Sequence, residues 1–282
     1  MRVGIIGYGF VGKALANGIK NKVDIFKVDP KLGTSISDLI NFNPEIIFIC
    51  VPTPMNDDGS QDIKILKKVI DELIIDSFSS KIVVKSTILP SNLREFEDIK
   101  SSLVFNPEFL REKTANEDFI NSEFIVLGGS KENTKVVAEF YKDCTKCKTN
   151  NYQFTDAVTA CFLKYSINTF LASKVIFFNQ LYELFQATNS SVPWEEFIKM
   201  ISFEERIGKS HMQVPGHDGK FGYGGACFPK DVNAFIKYSK EVGRELSLLN
   251  KANNINNIIR AKYNDVNNRE KEQNINFNNG EE

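Results

Sequence analysis

The chain has 282 residues, 42% hydrophobic and 25% charged, a composition typical of one large or two modest globular domains. Lysine plus arginine number 35 and aspartate plus glutamate 36, so the formal net charge of -1 leaves no basic excess for nucleic acid or an anionic membrane. No apolar run approaches the length of a membrane span, and the N-terminal MRVGIIGYGF lacks a signal-peptide pattern, so we expect a cytoplasmic protein.

Residues 1–152 alternate apolar, β-branched runs with segments of helical period, such as 11–19, 63–74 and 132–144. This alternation predicts parallel strands joined by crossover helices, that is, a doubly wound α/β sheet of Rossmann type. The predicted strands are 3–7, 23–28, 45–51, 81–86, 103–106 and 124–129.

Residues 153–265 are predicted to form an all-α central domain. Thr155 to about Thr188 reads as one helix without glycine or proline, long enough to need an apolar partner and therefore to favour a homodimer. WEEFIKMI predicts a second helix, Pro229 opens a third that runs through Val242, and another helical segment follows to about Tyr263. The Asn-rich residues 266–282 are predicted to form a disordered tail.

Five cysteines without a secretion signal argue against a disulfide framework. Cys144 and Cys147 form a lone CxxC, and His211 and His217 lie far along the chain. A zinc site normally requires a second pair of ligands, so we expect no metal.

The motif GYGFVG follows the first strand and opens a helix. Gly7 permits the tight turn, Gly9 allows a pyrophosphate to approach the backbone, and Gly12 allows the helix to pack on the strand. The helix N-terminus, including Phe10 and Val11, offers free amides to the phosphates. The motif predicts a dinucleotide site, against the alternative of a glycine turn without a ligand.

Asp29 ends the second predicted strand, about twenty residues after the glycines. An acid at this position accepts the ribose hydroxyls and repels a 2′-phosphate, which favours NAD over NADP. Lys27 and Lys31 weaken that preference. Two later strand ends are also predicted to line the cofactor crevice. VPTP contributes Pro52 and Thr53, and KST contributes Thr87.

Cys227 lies in FGYGGACFPKD (221–231), just before a predicted helix N-terminus, with Lys230 and Asp231 behind it. A nearby cation or a helix N-terminus activates a thiol as a nucleophile, and the preceding glycines would admit a bulky polar substrate. A small buried cysteine beside a glycine-rich connector is the equally weighted alternative.

Two further motifs place polar residues four positions apart. KYSIN sets Lys164 and Asn168 on one helix face, and NPEFLRE sets Glu108 and Glu112 after the fifth predicted strand. Taken alone, the first motif is better explained as a solvated lysine with a neighbour on the same helix face. The second can be a capped helix start, which explains Glu108 well and Glu112 less well.

Together these motifs make the chain resemble the UDP-glucose/GDP-mannose dehydrogenase family. The resemblance covers roughly residues 1–245, and its motifs stand in family order: GYGFVG, VPTP, KST, NPEFLRE, KYSIN with FLASK, ERIG and VPGHDGKFGYGGACFPKD. It implies two successive NAD-dependent oxidations that convert the C6 alcohol of a nucleotide sugar to the carboxylate, of the UDP-glucose to UDP-glucuronate type.

The resemblance also implies a role for each motif residue. Cys227 would hold the aldehyde as a thiohemiacetal and then as a thioester, Lys164 and Asp231 would stabilise oxyanions and activate water, and Asn168 would bind the reacting oxygen. Glu108 would act in thioester hydrolysis with Thr87 ordering the water, while Glu112 and Lys230 would contact the cofactor. The implied substrate-binding residues are Glu108, Phe109, Leu110, Lys164, Asn168, Arg206, Phe221, Gly222, Tyr223 and Gly224. Arg206 would reach the site of a neighbouring subunit.

The chain is expected to depart from the family pattern in lacking most of the C-terminal domain that binds the substrate nucleotide. Lys113, Cys161 and Gln180 stand where the family usually has Gly, an acid and Glu. Two alternatives therefore stand beside the main hypothesis. One is a two-electron dehydrogenase of the 3-hydroxyacid/6-phosphogluconate type that ignores Cys227. The other is a truncated, non-catalytic NAD-binding partner of full-length subunits.

Overall fold

The computed structural model describes residues 1–75, 80–265 and 267–277. The chain separates into two compact units, one consisting of Met1–Thr53 and Asp62–Lys164 and the other of Pro54–Gln61 and Tyr165–Glu282. This division differs from the predicted boundary after residue 152, because the start of the long helix packs in the core of the first unit. The functions assigned to the predicted domains stay predictions.

The strands of the first unit are β1 (Arg2–Ile6), β2 (Asp24–Val28), β3 (Ile46–Ile49), β4 (Lys81–Val84), β5 (Leu103–Phe105), β6 (Ile125–Gly129) and β7 (Tyr152–Thr155). They form one seven-stranded sheet in the order β2-β1-β3-β4-β5-β6-β7. Every neighbouring pair is parallel except β5 and β6. In one row of the register, Ile5 lies beside Phe48 and Phe48 beside Val83.

Helices cover both faces of this sheet: α1 (Phe10–Gly18), α2 (Ile36–Phe42), α3 (Lys64–Ile75), α4 (Ala115–Ile120) and α5 (Lys131–Cys144). Successive strand residues point to opposite faces, as β4 shows. Val83 packs in one core cluster with Leu15 of α1 and Tyr141 of α5, and Val84 packs in the other with Ile70 of α3. Each large apolar side chain buried this way contributes about 1.5–3 kcal/mol to folding.

The long helix α6 (Ala157–Ala187) begins in the first unit and continues into the second. The second unit also contains α7 (Trp194–Ile201), α8 (Phe228–Glu241), α9 (Ser247–Arg260) and α10 (Asn268–Glu272). An aromatic cluster holds part of it together: Phe178 and Trp194 are buried among Tyr182, Phe185 and Phe197. Among the described residues, no helix combines the length and apolar character needed to cross a bilayer.

The predicted fold class is confirmed, with a Rossmann-type sheet followed by a helical region around one long helix. The sheet departs from the all-parallel expectation at β5 and β6. Between these strands the chain carries a 3-10 turn (Glu112–Thr114) and the six-residue α4 rather than a full crossover helix. The Phe119 ring of α4 covers Gly18 of α1. Strand β7 was not predicted, because its YQFT sequence is short and partly exposed.

The structure also departs from the predicted disordered tail over residues 267–277. Asn267 caps α10 by accepting a hydrogen bond from the Glu270 amide (2.8 Å), and the Glu270 side chain closes the capping box. Glu270, Ile275 and Phe277 are buried. Composition predicts disorder because this segment has too few apolar residues for a core of its own, but it packs on an existing one. Residues 266 and 278–282 of the predicted tail lie outside the described residues.

Candidate active site

The glycine loop between β1 and α1 is built by contacts between backbone atoms. Gly7 has a φ of +89°, and a Cβ there would meet the backbone of Cys50. A Cβ at Gly12 would overlap the Gly7 carbonyl, so both positions require glycine. Gly9 faces open space, with nothing within 4 Å of a Cβ placed on it. Gly9 is the N-cap of α1 and has no side chain to cap the helix. No side chain of the N-cap residue therefore covers the helix N-terminus that begins with Phe10 and Val11.

Asp29, at the end of β2, is bound to this loop. Its Oδ2 accepts a hydrogen bond from the Tyr8 amide (2.7 Å), and its Oδ1 accepts one from the Lys31 amide (2.9 Å). The carboxylate therefore fixes the turn between Gly7 and Gly9 and keeps its negative charge beside the loop. Each of its oxygens has a second lone pair, which allows it to accept a further donor such as a ribose hydroxyl.

The polar residues predicted at the ends of β3 and β4 meet in the first unit. The buried Thr53 hydroxyl donates to the backbone carbonyl of Thr87 (2.9 Å), which ties the two strand ends together. Pro52, the residue before Thr53, is exposed. Thr87 is half-buried.

A buried lysine that sequence reasoning did not single out lies beside these strand ends. Lys85 Nζ donates to Asn106 Oδ1 (3.0 Å) and to the Tyr141 hydroxyl (3.2 Å), and Asn106 in turn donates to the carbonyl of Val126 (2.9 Å). Burial lowers the pKa of the Lys85 ammonium and raises the pKa of the Cys50 thiol to about 12. This network holds Asn106, the first residue of the NPEFLRE turn.

The structure brings Glu108 of that turn together with Lys164 of α6. Both side chains are buried, and Lys164 Nζ contacts the backbone carbonyl of Glu108 and its carboxylate Oε1 (3.4 Å). The other carboxylate oxygen accepts from the Leu110 amide (2.6 Å), and the Phe109 ring lies 5.2 Å from the ammonium. A cation and a carboxylate are therefore held in one buried place, suited to stabilising or moving charge. Glu112, four residues after Glu108, is exposed.

A second polar cluster lies in the second unit, behind Cys227. Asn168 of α6 donates to Asp231 Oδ2 (2.6 Å), and Lys230 Nζ donates to Asp231 Oδ1 (2.6 Å). All three side chains are buried, so the Asp231 charge is balanced by Lys230. The half-buried Cys227 is the N-cap of α8, and its carbonyl accepts from the Asp231 amide (3.0 Å).

The loop that precedes Cys227, residues 221–225, is held by hydrogen bonds that its backbone amides donate to side chains elsewhere in the second unit. The backbone amides of Gly222 and Tyr223 donate to Asn179 Oδ1 (2.9 Å) and Asn256 Oδ1 (2.7 Å). Tyr263 and Glu270 accept from two further amides of the loop, those of Phe221 and Gly225. Sequence reasoning missed these acceptors.

A sequence signal for part of this set does exist. Asn253, Asn256, Asn257 and Arg260 are buried and follow helical spacing on α9, which marks a polar face turned inward. Asn253 also accepts from the Tyr223 hydroxyl (2.8 Å). Burial raises the pKa of that phenol.

The glycines of this loop are predicted to leave space for a substrate, but protein side chains fill the space beside two of them. A Cβ at Gly222 would meet Asn256 and Arg260, and a Cβ at Gly224 would overlap the Arg260 guanidinium. Gly225, in contrast, faces open space. Arg206 is exposed and binds Glu204 (2.8 Å), so the structure does not join it to the other predicted residues of this chain. The role of each residue as a binding group stays a prediction.

The cysteines differ in exposure. Cys144 and Cys161 are buried, whereas Cys50, Cys147 and Cys227 are half-buried. Burial also raises the pKa of Cys147. Across residues 1–75, 80–265 and 267–277, no three His, Cys, Asp or Glu side chains converge as metal ligands do.

Two parts of the chain match one protein family. Residues 31–145 match the NAD binding domain of the UDP-glucose/GDP-mannose dehydrogenase family, and residues 158–258 match its central domain. Together the matches cover well over half of the chain. They assign NAD as the cofactor of the first unit.

Relatives in other organisms carry the name UDP-glucose 6-dehydrogenase. The protein from Rickettsia felis is 34% identical over 202 residues, which cover 68% of this chain and 43% of that protein. The Haloferax volcanii protein, UDP-glucose 6-dehydrogenase AglM, is 30% identical over 257 residues, which cover 85% of this chain and 58% of that protein. This chain therefore spans about half the length of these two relatives.

The fold is also similar to that of a solved structure, the UDP-glucose dehydrogenase from the archaeon Pyrobaculum islandicum. The TM-score is 0.73 at 24% sequence identity, and the similarity covers 91% of this chain and 68% of the other.

The residues of the glycine loop between β1 and α1 fit a bound dinucleotide. The open space at Gly9 and the helix N-terminus without a side-chain cap suit a pyrophosphate, and the Asp29 carboxylate beside them suits ribose hydroxyls. NAD bound there would supply a hydride acceptor.

Proposed function

The chain belongs to the UDP-glucose/GDP-mannose dehydrogenase family, and on that premise we propose that it oxidises the C6 alcohol of a nucleotide sugar to the carboxylate with two equivalents of NAD. The observation that carries this proposal is the retention of both buried polar clusters. Lys164 with Glu108 and Lys230 with Asp231 are buried ion pairs, and Asn168 donates a hydrogen bond to Asp231. Charges are costly to bury, and they cluster at functional sites.

In the first oxidation, the C6 hydroxyl loses its proton to a water that Lys164 and Asp231 are proposed to position, while hydride leaves the same carbon and NAD would accept it. Lys164 and Asn168 are proposed to stabilise the negative charge that develops on the C6 oxygen, as hydrogen-bond donors held in buried positions. Because both side chains are already hydrogen-bonded, to Glu108 and Asp231 respectively, little reorganisation is needed when the charge forms.

In the second oxidation, Cys227 is proposed to trap the aldehyde. Its thiolate adds to the carbonyl carbon and the oxygen takes up a proton, which gives a thiohemiacetal. Loss of that hydroxyl proton and of a second hydride, which the second equivalent of NAD would accept, gives a thioester. The position of Cys227 at the N-terminus of α8 supports this role, because the helix end favours the thiolate. Covalent capture also keeps the aldehyde from escaping between the two oxidations.

Hydrolysis of the thioester requires an activated water. Glu108 is proposed to act as the general base, with Thr87 ordering the water and Asp231 assisting. Glu108 is suited to this because Lys164 and the Leu110 amide fix both of its carboxylate oxygens in place. The products are the uronate, the free Cys227 thiol and one further proton.

The test is a screen for NADH production with UDP-glucose, GDP-mannose and UDP-N-acetyl-hexosamines. We expect two NADH per sugar consumed, and we expect Cys227→Ser to reduce carboxylate formation by about a thousandfold, as loss of a covalent nucleophile does. Cys147→Ser, which changes another half-buried thiol, serves as the matched control and is expected to keep full activity.

Two outcomes of the screen would contradict the proposal. One NADH per turnover with full activity in Cys227→Ser would indicate a two-electron dehydrogenase. NAD binding without turnover on any of these substrates would indicate a non-catalytic partner of full-length subunits.

A homodimer through α6 is proposed as the assembly. Phe170, Phe177 and Leu184 are exposed to 66%, 60% and 65% and recur every seven residues on this helix, which makes one apolar stripe. Phe177→Glu is expected to convert a dimer to a monomer in light scattering, whereas Glu183→Lys, on the same helix, is expected to leave it dimeric. A wild-type monomer at all concentrations would contradict this assembly.

A further inference from the structure

The segment 267–277 is bound to two loops of the second unit. At one end, Glu270 Oε1 accepts from the backbone amide of Gly225 (2.9 Å). At the other, the Gln273 carbonyl accepts from the Met55 amide (3.2 Å), and the Asn274 side chain donates to the Met55 carbonyl (3.1 Å). The segment thus connects the loop before Cys227 with the 54–61 loop that follows VPTP.

One buried guanidinium and two carboxylates hold this segment. The side chains of Glu270 and Arg260 are each only 2% exposed, and Arg260 Nη2 lies 3.5 Å from Glu270 Oε1 and 2.7 Å from Asp218 Oδ2. The Phe277 ring lies 5.6 Å from the guanidinium. Partial burial opposes ionisation of Asp218, but the hydrogen bond and charge of Arg260, together with the Lys220 amide, outweigh it and keep the pKa of Asp218 below its ordinary value. One buried guanidinium therefore joins the 216–220 turn to α10.

Glu270 holds the end of the glycine loop that lies next to the thiol. The amides of Gly222 and Tyr223 are bound by asparagines of α6 and α9, whereas the amide of Gly225, two residues before Cys227, is bound by Glu270. Gly225 has a φ of +78° and no atoms within 4 Å of a Cβ, so local packing does little to restrict it. Without the carboxylate, this part of the loop has more freedom.

We propose that Glu270 is a positioning residue that fixes the 221–225 loop, through Gly225, for binding of the nucleotide sugar. This inference rests on the proposed function for its catalytic consequence, but the contact itself is independent of it. A competing possibility is that the tail is a plug that substrate displaces. The burial of Glu270, Ile275 and Phe277 favours a permanent attachment over a removable one.

The first experiment measures hydrogen exchange of the peptide that contains residues 221–227 in Glu270→Ala, Glu270→Gln and wild type. Hydrogen bonds to charged groups are stronger than those between neutral groups, so we expect exchange at Gly225 at least about tenfold faster in Glu270→Ala. Glu270→Gln retains an acceptor oxygen and should fall between the two. Glu272→Ala, an exposed acid on the same helix that pairs with Arg269, is the matched control and should match wild type.

The second experiment separates positioning from general damage. In Glu270→Ala we expect KM for the nucleotide sugar to rise about tenfold while kcat changes less than threefold, with partial rescue in Glu270→Gln. Unchanged exchange of peptides from α8 and α9 shows that the variant is folded. If Glu270→Ala unfolds, the same comparison is made with Glu270→Gln.

The outcomes are distinct. Unchanged exchange at Gly225 in both variants overturns the positioning role, and a rise in kcat/KM on removing the carboxylate overturns it in favour of a plug. If wild type shows no turnover with any nucleotide sugar, the proposed function fails, whereas faster exchange in Glu270→Ala still supports the attachment of the loop by Glu270.

Discussion

The two glycine-rich loops of this chain are held in place by different kinds of contact. In the loop of residues 7–12, the glycines are required because backbone meets backbone: a Cβ at Gly7 would meet the Cys50 main chain, and one at Gly12 the Gly7 carbonyl. In the loop of residues 221–225, the amides are bound by side chains of Asn179, Asn256 and Glu270. Both loops need small residues, but in the first loop the close contacts are with backbone, and Asp29 adds one side-chain acceptor. In the second loop they are with side chains, and acceptors far away in sequence bind its amides.

The largest expected effect tests the first loop. Gly7→Ala should lower the free energy of unfolding by about 3 kcal/mol or more, because it combines a backbone clash with a φ of +89°. Gly9→Ala, two residues on and facing open space, is the matched control and should change stability by less than about 1 kcal/mol while weakening NAD binding about tenfold. Urea denaturation measures the free energy of unfolding of each variant, and NAD titration measures its affinity for the cofactor. Equal free energies of unfolding for Gly7→Ala and Gly9→Ala would show that backbone contacts do not determine the conformation of this loop.

A smaller effect is expected at the second loop from a substitution outside it. Asn256→Ala leaves the buried Tyr223 amide without its acceptor, which should cost about 2 kcal/mol in the free energy of unfolding. Asn254→Ala, a half-buried asparagine on the same helix, should cost less than about 0.5 kcal/mol. Both are measured by urea denaturation, and equal losses at the two positions would contradict the importance of the Asn256 acceptor.

The smallest effect concerns the NPEFLRE turn, which is held by a buried charge rather than by glycine or asparagine. Burial lowers the folded-state pKa of Lys85 below its ordinary 10.5, so the unfolded chain binds more protons between these two values. The free energy of unfolding of wild type relative to Lys85→Met should therefore rise as pH increases through that window. Each unit of pKa depression corresponds to about 1.4 kcal/mol.

Urea denaturation of both proteins between pH 7 and 10.5 checks this. Tyr141 and Cys50 titrate in or above the same range, and both are present in the variant and in wild type, so their contributions largely cancel in the difference. A flat difference, or one that falls as pH rises, would show that Lys85 has no desolvation cost in the folded protein.

The sequence predicted the features that short stretches determine. The apolar runs of β1 to β6, the period of α1, α3, α5 and α6, and the start of α8 near Pro229 all match the structure closely. The GYGFVG loop was predictable because its geometry arises within one strand–turn–helix segment. The direction of β6 was not predictable, since an apolar run does not indicate whether a strand is parallel to its neighbour.

The candidate site was predictable only in part. Spacing marked Glu108, Lys164 and Asn168 only as candidates, and the resemblance to the family selected them, with Asp231, over the bland alternatives. The structure gives each of the four a partner. The acceptors of the second loop could not be found in this way, because Asn179 and Glu270 lie about 45 residues from the amides they bind. Hydrogen bonds between distant segments leave no local pattern.

The unequal burial of the cysteines makes this protein suitable for site-specific labelling without engineering. At neutral pH, a thiol with a pKa of about 12, such as Cys50, is almost never a thiolate, and Cys144 and Cys161 are shielded from reagents. Burial also raises the pKa of the half-buried Cys147, so a fluorophore or a fluorine tag should attach first to Cys227, at the end of the 221–225 loop. Such a probe would report spectroscopically on that loop, in real time, as ligands are added.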